Sequence, residues 1–288
     1  MYMTEEHEAL RKTIRKFAEK EIKPLAQELD EKEEFSIELT NKMGEMGLFG
    51  IVAPEQYGGQ GFDYLSYVVC VEELARVDSS QAATIAAHNS LGIGPILYFG
   101  TDEQKEKYIP QLCTGKGLWS FGLTEPDAGS DSRGSKTKAE LINGNWVING
   151  SKTFITNAST PISLGATVQL LTDNTDGKKE FSTILVETNT PGYETRKMKK
   201  KLMWRASDTS ELFFDDCKVP ESNLLGKRGH GSKIMLGTLD NGRLSIAAMG
   251  LGLAQGAYEM ALSYAQERKQ FGKAISKFQV NSFKLADM

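Results

Sequence analysis

The residues best suited by type and spacing to do chemistry stand at the end of one run, Leu118 to Ser132, Leu-Trp-Ser-Phe-Gly-Leu-Thr-Glu-Pro-Asp-Ala-Gly-Ser-Asp-Ser. Trp119, Phe121 and Leu123 alternate as on one face of a strand, and Pro126 cannot donate to a ladder. Gly129 with Ser130 offers close backbone approach and a hydroxyl. A strand edge ending this way suits a phosphate or a heterocycle, although Pro, Asp and Gly after a strand also make an ordinary turn. Other reactive types are scattered. His7, His88 and His230 lack metal-ligand spacing, and Cys70, Cys113 and Cys217 lie far apart with no CxxC pair. Three such cysteines fit buried free thiols in a reducing compartment, with no disulfide and no metal site.

These residues need a scaffold, and 288 residues with 40% hydrophobic content are enough for one large domain or two. The 34 basic and 38 acidic residues give a net charge of -4, which argues against a nucleic-acid surface or a broadly basic membrane face. The start, Met-Tyr-Met-Thr-Glu-Glu-His, has neither the basic end nor the apolar core of a signal peptide, and no run of about 18 apolar residues could span a bilayer. The expected location is cytoplasmic, without membrane insertion.

The pattern predicts helices over 1–114. Thr4 precedes Glu5 and Glu6 as an N-cap, and Leu10, Ile14, Phe17 and Ile22 recur at helical spacing until a bend or end near Pro24. Further helices are expected from Ser36 to Gly47, Tyr64 to Val77, Ser79 to Phe99 with Gly92, Gly94 and Pro95 interrupting, and Asp102 to Leu112. Over 115–225, β-branched and aromatic residues alternate with polar ones. Lys136 to Leu141, Asn143-Gly144 and Trp146 to Ile148 read as a hairpin. Further strands are expected at Lys152 to Thr156, Ala166 to Leu171, Phe181 to Glu187, Tyr193 to Lys197 and Glu211 to Phe214, with Pro191 and Pro220 in connections. Over 226–288 helix returns, with Leu244, Ala247, Leu251, Ala254, Tyr258, Ala261 and Ala265 as the repeating stripe. Gly250, Gly252 and Gly256 within it imply close packing against a neighbour. The last amphipathic run, from Ser276 to Met288, has no closing cap or breaker, so the chain reads as cut there.

This order, with three strings, resembles the acyl-CoA dehydrogenase family over essentially the whole chain. The strings are Phe121-Gly-Leu-Thr-Glu-Pro-Asp-Ala-Gly-Ser-Asp131, Asn149-Gly-Ser-Lys-Thr-Phe-Ile-Thr-Asn157, and Glu267-Arg-Lys-Gln-Phe-Gly272 followed by Phe278-Gln279. The resemblance implies an α+β fold: an N-terminal helical domain, a middle β-barrel-like domain and a C-terminal helical domain, here incomplete. It implies FAD as cofactor. Phe121, Gly122, Leu123 and Thr124 would address the flavin ring, with Gly129 and Ser130 beside the pyrophosphate and the CoA ligand. Phe154, Ile155 and Thr156 would pack on the ring and donate to its hydride-accepting nitrogen, Phe154 replacing a tryptophan common in the family. Arg268, Gln270, Phe271 and Gln279 would reach the flavin of a neighbouring subunit, which implies a homo-oligomer, a tetramer in the family.

Asp240, Asn241, Gly242 and Arg243 match the segment lining the family's acyl-CoA pocket. Some relatives carry the catalytic glutamate immediately before this arginine, where this chain has Gly242. The pattern resembles short- and medium-chain members, whose glutamate sits about a hundred residues further on, beyond Met288, so no catalytic base is expected within the chain. Glu125 belongs to the flavin turn instead. The implied reaction is α,β-dehydrogenation of a short- or medium-chain acyl-CoA to a trans-2-enoyl-CoA, reoxidised by an electron-transfer flavoprotein. A non-catalytic FAD- and CoA-binding scaffold and an acyl-CoA oxidase are the alternatives. Lys197, Lys199, Lys200 and Lys201 read as a solvated face, and Met203 stands where the family commonly has glycine.

Overall fold

The computed structural model describes residues 3–175 and 177–288. Helix α1 (Glu5–Phe17) starts in a reciprocal cap, the Thr4 side chain accepting from the His7 N–H while the His7 ring accepts from the Thr4 N–H. The helical path does not stop at Pro24. A π turn over Ala18–Ile22 leads into α2 (Lys23–Lys32), and proline is tolerated because it falls in the first turn, where its missing donor costs least. The helix ends at Glu33, left-handed at φ 54°.

Side chains of Ser36, Asp63 and Asp78 cap α3 (Ile37–Glu45), α4 (Tyr64–Ala75) and α5 (Ser79–Ala87). A second π turn, His88–Ile93, joins α5 to α6 (Gly94–Phe99), so the expected interruptions are absorbed by winding and the chain stays helical. Thr101 and Gln104 form a capping box for α7 (Asp102–Leu112). Ile14, Leu39, Tyr67, Leu74 and Ile85 form the centre of this helical core.

The middle strands are β1 (Leu118–Gly122), β2 (Lys138–Ile142), β3 (Asn145–Thr156), β4 (Ser163–Thr175), β5 (Lys178–Glu187), β6 (Tyr193–Lys197), β7 (Thr209–Pro220) and β8 (Leu224–Leu225). They form one sheet in the order β6-β7-β3-β2-β4-β5-β8, with β1 added in parallel to β4. Among the described residues this barrel-like sheet ends at β6 and β8 without closing on itself. The Asn143-Gly144 hairpin forms, both residues at positive φ.

The two strands expected at Trp146 to Ile148 and Lys152 to Thr156 are one strand, β3. Asn149-Gly150-Ser151 looks like a break but makes a bulge, because Gly150 at φ 136° lets the chain pass Thr137, where a Cβ would sit 2.7 Å from that side chain. Pro220 ends β7 and does not lie in a connection.

Helix α8 (Gly231–Glu267) crosses α4 and carries a hairpin, β9 (Lys269–Gln270) with β10 (Lys273–Ala274), then α9 (Gln279–Asp287). Its buried side is not the expected stripe. Leu244 and Leu251 are 47% and 57% exposed, whereas Gly242, Ser245, Ala248, Gly252 and Gly256 are buried. A Cβ at Gly252 would lie 2.2 Å from the Glu72 carbonyl oxygen and one at Gly256 2.1 Å from that of Arg76, so these two glycines let the helix backbones touch. Gly250 faces open space and plays no such part. Arg76 reinforces the crossing through Glu19 on the first π turn and Glu259 on α8.

Candidate functional site

Strand β1 pairs on one side only, with β4, and its other edge helps wall a cleft of about 270 Å3. That is why consecutive residues, Trp119, Ser120 and Phe121, line it along with Leu123, Thr124 and Gly129, rather than one alternating face. Both faces of the strand are largely buried. Phe154, Ile155 and Thr156 at the end of β3 also line the cleft, as do Ala87, Leu91 and Leu239 from the helices. The Thr153 N–H donates to the Thr124 carbonyl at 2.9 Å and ties the two strand ends together.

Several features of the cleft are unexplained by packing. Phe154 sits at φ 59°, a conformation costly for an aromatic residue, and is 64% exposed; the β3–β7 register shifts around it. Among the described residues the hydroxyls of Thr124 and Thr156 make no side-chain hydrogen bond, and the Ser120 Oγ is buried without a partner. A Cβ at Gly129 would meet nothing within 4 Å, so the backbone there borders open space.

Behind this wall lies a buried ion pair. The Lys152 ammonium contacts Glu125 Oε1 at 2.8 Å and donates to the Leu123 carbonyl at 3.2 Å, and both side chains are almost wholly buried. Glu125 also accepts from the Lys136 N–H at 2.7 Å and the Thr137 N–H at 3.0 Å. Burial alone would raise the Glu125 carboxyl, but the adjacent ammonium and the backbone donors outweigh it and hold the group below its usual range. Burial draws the Lys152 ammonium below its own ordinary value while Glu125 pulls the other way, and the Glu125 carboxylate is taken up by Lys152 and by the backbone donors of the turn. His88, in the second π turn, braces β1 from the helical side: its Nε2–H donates to the Leu112 carbonyl at 2.9 Å and its Nδ1 accepts from the Trp119 N–H at 3.4 Å. Complete burial pulls the imidazole down to about 4.

The cleft adjoins a larger cavity of about 580 Å3, and the two share Ala87, Leu91, Thr156 and Leu239. The helices contribute mainly small or apolar side chains to this cavity, and its serines are turned inward: Ser90 Oγ donates to the Ala86 carbonyl and Ser245 Oγ to that of Gly242. The result is an apolar, alkyl-compatible wall with one cation among its described lining residues, Arg243, which pairs with Asp240. Neither the cleft nor the cavity has a carboxylate or a histidine among its described lining residues.

Of the site residues expected from sequence, Phe121, Leu123, Thr124, Gly129, Phe154, Ile155 and Thr156 meet in the cleft, and Gly242 and Arg243 stand on the cavity wall. Gly122 is buried behind the wall against Val168 and the Lys152 stem. Ser130 is exposed, and Asp240 and Asn241 lie off the cavity lining. Arg268, Gln270, Phe271 and Gln279 are exposed in and around the β9–β10 hairpin and line neither space; Phe271 is 93% exposed and left-handed at φ 51°. Sequence reasoning missed Ser120, Lys152 and Trp204. The last, an isolated aromatic in a loop, lines the cavity. The four lysines from Lys197 are not all solvated, since Lys197 Nζ donates to the Glu33 carbonyl at 2.7 Å and Lys201 to Thr209 Oγ1 at 2.9 Å.

Comparison with known proteins adds independent findings. Residues 4–116 match the family described as acyl-CoA dehydrogenase, N-terminal domain, residues 120–217 its middle domain, and residues 229–288 its C-terminal domain. An acyl-CoA dehydrogenase of Bacillus subtilis is 45% identical over 100% of this chain and 76% of its own length. The butyryl-CoA dehydrogenase of Megasphaera elsdenii superimposes with a TM-score of 0.94 at 40% identity, covering 100% of this chain and 76% of that one. A chain in a structure of the electron transferring flavoprotein of Acidaminococcus fermentans does so with a TM-score of 0.96 at 43% identity, covering 100% and 75%.

Proposed function

The chain belongs to the acyl-CoA dehydrogenase family, and from that premise we propose that its cleft takes FAD, the family's cofactor, and its cavity the acyl chain of a short-chain acyl-CoA. The observation that carries this reading is the meeting of two threonine hydroxyls, without a side-chain partner among the described residues, and an exposed, strained phenylalanine in a cleft that adjoins an apolar cavity. Hydroxyl donors and a ring face suit an isoalloxazine, and the open space beside Gly129 leaves room for its phosphates. FAD, when bound, supplies the hydride acceptor for oxidation of the acyl group at its β-carbon.

The chain's own residues do the rest. Thr124 and Thr156 orient the ring and stabilise the charge it gains. Phe154 covers its face, and the Lys152–Glu125 pair holds the Leu123–Thr124 backbone in place. The alkyl wall excludes water, which favours proton removal next to a thioester carbonyl. Because the described walls offer no carboxylate or histidine, we assign the proton-accepting group to a position outside them. The exposed Arg268, Gln270, Phe271 and Gln279 are assigned to the cleft of a second copy, and an electron-transfer flavoprotein is the proposed acceptor of the electrons.

Reconstitution with FAD followed by titration with butyryl-CoA tests this. A bound flavin whose absorbance is perturbed by butyryl-CoA is the expected result. A chain that takes up neither flavin nor acyl-CoA would overturn the reading.

A further inference from the structure

Every residue of the 580 Å3 cavity but one comes from regular structure: α5, the π turn after it, the end of β3, or α8. The exception is Trp204, on the strap between β6 and β7, and it is also the bulkiest side chain on the wall. Around it the helices present Ala83, Ala86, Ala87 and Gly242. Small side chains on rigid helices leave the space, and one ring on a loop limits it.

Two observations indicate that the ring is held there for a purpose other than folding the loop. Trp204 is left-handed at φ 51°, a conformation disfavoured for such a residue, and its indole N–H is buried with no acceptor among the described residues. The strap is clamped on both sides of the ring. Arg205 pairs with Asp30 and Glu33 at the end of α2, each at 3.3 Å, and the Lys200 N–H donates to the Glu33 carboxylate at 2.8 Å. Of the three apolar residues 202–204, Leu202 and Met203 are exposed, and Trp204 is the one turned inward, against both the cavity and the helical core.

We propose that Trp204 limits the acyl-chain length this protein accepts, and that the Arg205 clamp is the positioning device that holds it in place. This rests on the acyl-CoA reading of the cavity. An alkyl wall discriminates through burial of methylenes, so widening it should change affinity for long chains and leave short ones little altered.

The test is binding, read from perturbation of the flavin absorbance of the FAD-reconstituted chain titrated with butyryl-CoA and octanoyl-CoA. In Trp204→Ala the ratio of octanoyl to butyryl affinity should rise about tenfold or more; in Trp204→Phe, which keeps a ring, it should change less than about threefold. Arg205→Ala should raise the ratio as Trp204→Ala does, with a smaller amplitude, because the ring remains but its clamp is lost. Should Trp204→Ala not fold, Trp204→Leu carries the same expectation. If the unaltered chain binds both thioesters and the variants shift both affinities equally, or neither, the proposal fails while the acyl-CoA reading stands. If the unaltered chain binds neither thioester, both fail together.

Discussion

The Lys152 ammonium lies 2.8 Å from the Glu125 carboxylate and 3.2 Å from the Leu123 carbonyl, inside the protein and behind the strand edge that carries Thr124. Removing one partner strands the other charge where water cannot reach it. Lys152→Met is expected to cost about 3–5 kcal/mol in urea unfolding. Lys152→Met with Glu125→Leu should recover only part of that, because the Lys136 and Thr137 N–H groups then lose their acceptor. Full additivity of the two single losses would contradict the pairing.

Thr124→Val and Thr156→Val remove a donor while keeping shape. Each should weaken FAD binding by about 1 kcal/mol, roughly fivefold in Kd, by flavin fluorescence titration. The flavin potential should also fall, since the lost donors favour the reduced ring. Unchanged affinity and potential in both variants would place the flavin elsewhere.

Phe154 makes stability and binding pull in opposite directions. Its ring is largely exposed, so Phe154→Gly sacrifices little burial and relieves roughly 1–2 kcal/mol of left-handed strain. The flavin-free chain should melt at the same temperature or higher, while FAD affinity drops. A clear loss of Tm in the flavin-free variant would mean that the ring is structural.

His88 predicts a pH dependence. Its folded value, about 4, lies below the 6.5 of an unfolded chain, because burial disfavours the charged ring. The unfolded state therefore binds the extra proton as pH falls from about 6.5 to 4, and stability declines across that window by a total of about 3 kcal/mol. His88→Gln lacks this component. The difference between the two proteins' urea midpoints should narrow between pH 7 and pH 5; a constant difference would count against the assignment.

The glycines of α8 give a matched pair. Gly256→Ala drives a methyl into the Arg76 carbonyl and should cost roughly 1–3 kcal/mol despite the better helix propensity of alanine. Gly250→Ala, in open space, should stabilise by roughly 0.5–1 kcal/mol. Thermal melts of the two would separate packing from propensity.

Local chemistry was legible before the fold was known. Thr4 and Asn143-Gly144 mark their elements because caps and tight turns are decided within four residues. Seven of the cleft's lining residues, from Phe121 to Thr156, stand in the strings quoted from the sequence, whereas Ser120, Ala87, Leu91 and Leu239 carry no such signal. What stayed hidden depends on partners distant in sequence. Lys152 in an alternating strand reads as a surface lysine, and only Glu125, 27 residues earlier, makes its burial tolerable. The apolar repeat of α8 pointed to Leu244 and Leu251 as its core face, whereas the helix lies against α4 along its smallest residues, since contact between backbones demands the absence of side chains. Trp204 carries no periodic signal at all.

The π turn at His88–Ile93 fits one more residue into the helical path than regular winding would hold there. Deleting a single residue from it can therefore be absorbed by rewinding to an ordinary helix, with α6 keeping its side toward α8. A further residue, taken up as ordinary winding, would instead turn everything beyond it by about 100° around the axis. Shortening and lengthening are thus unequal mutations in this segment: the turn has a residue to give up, and an added one is taken up only by rotating α6 against α8.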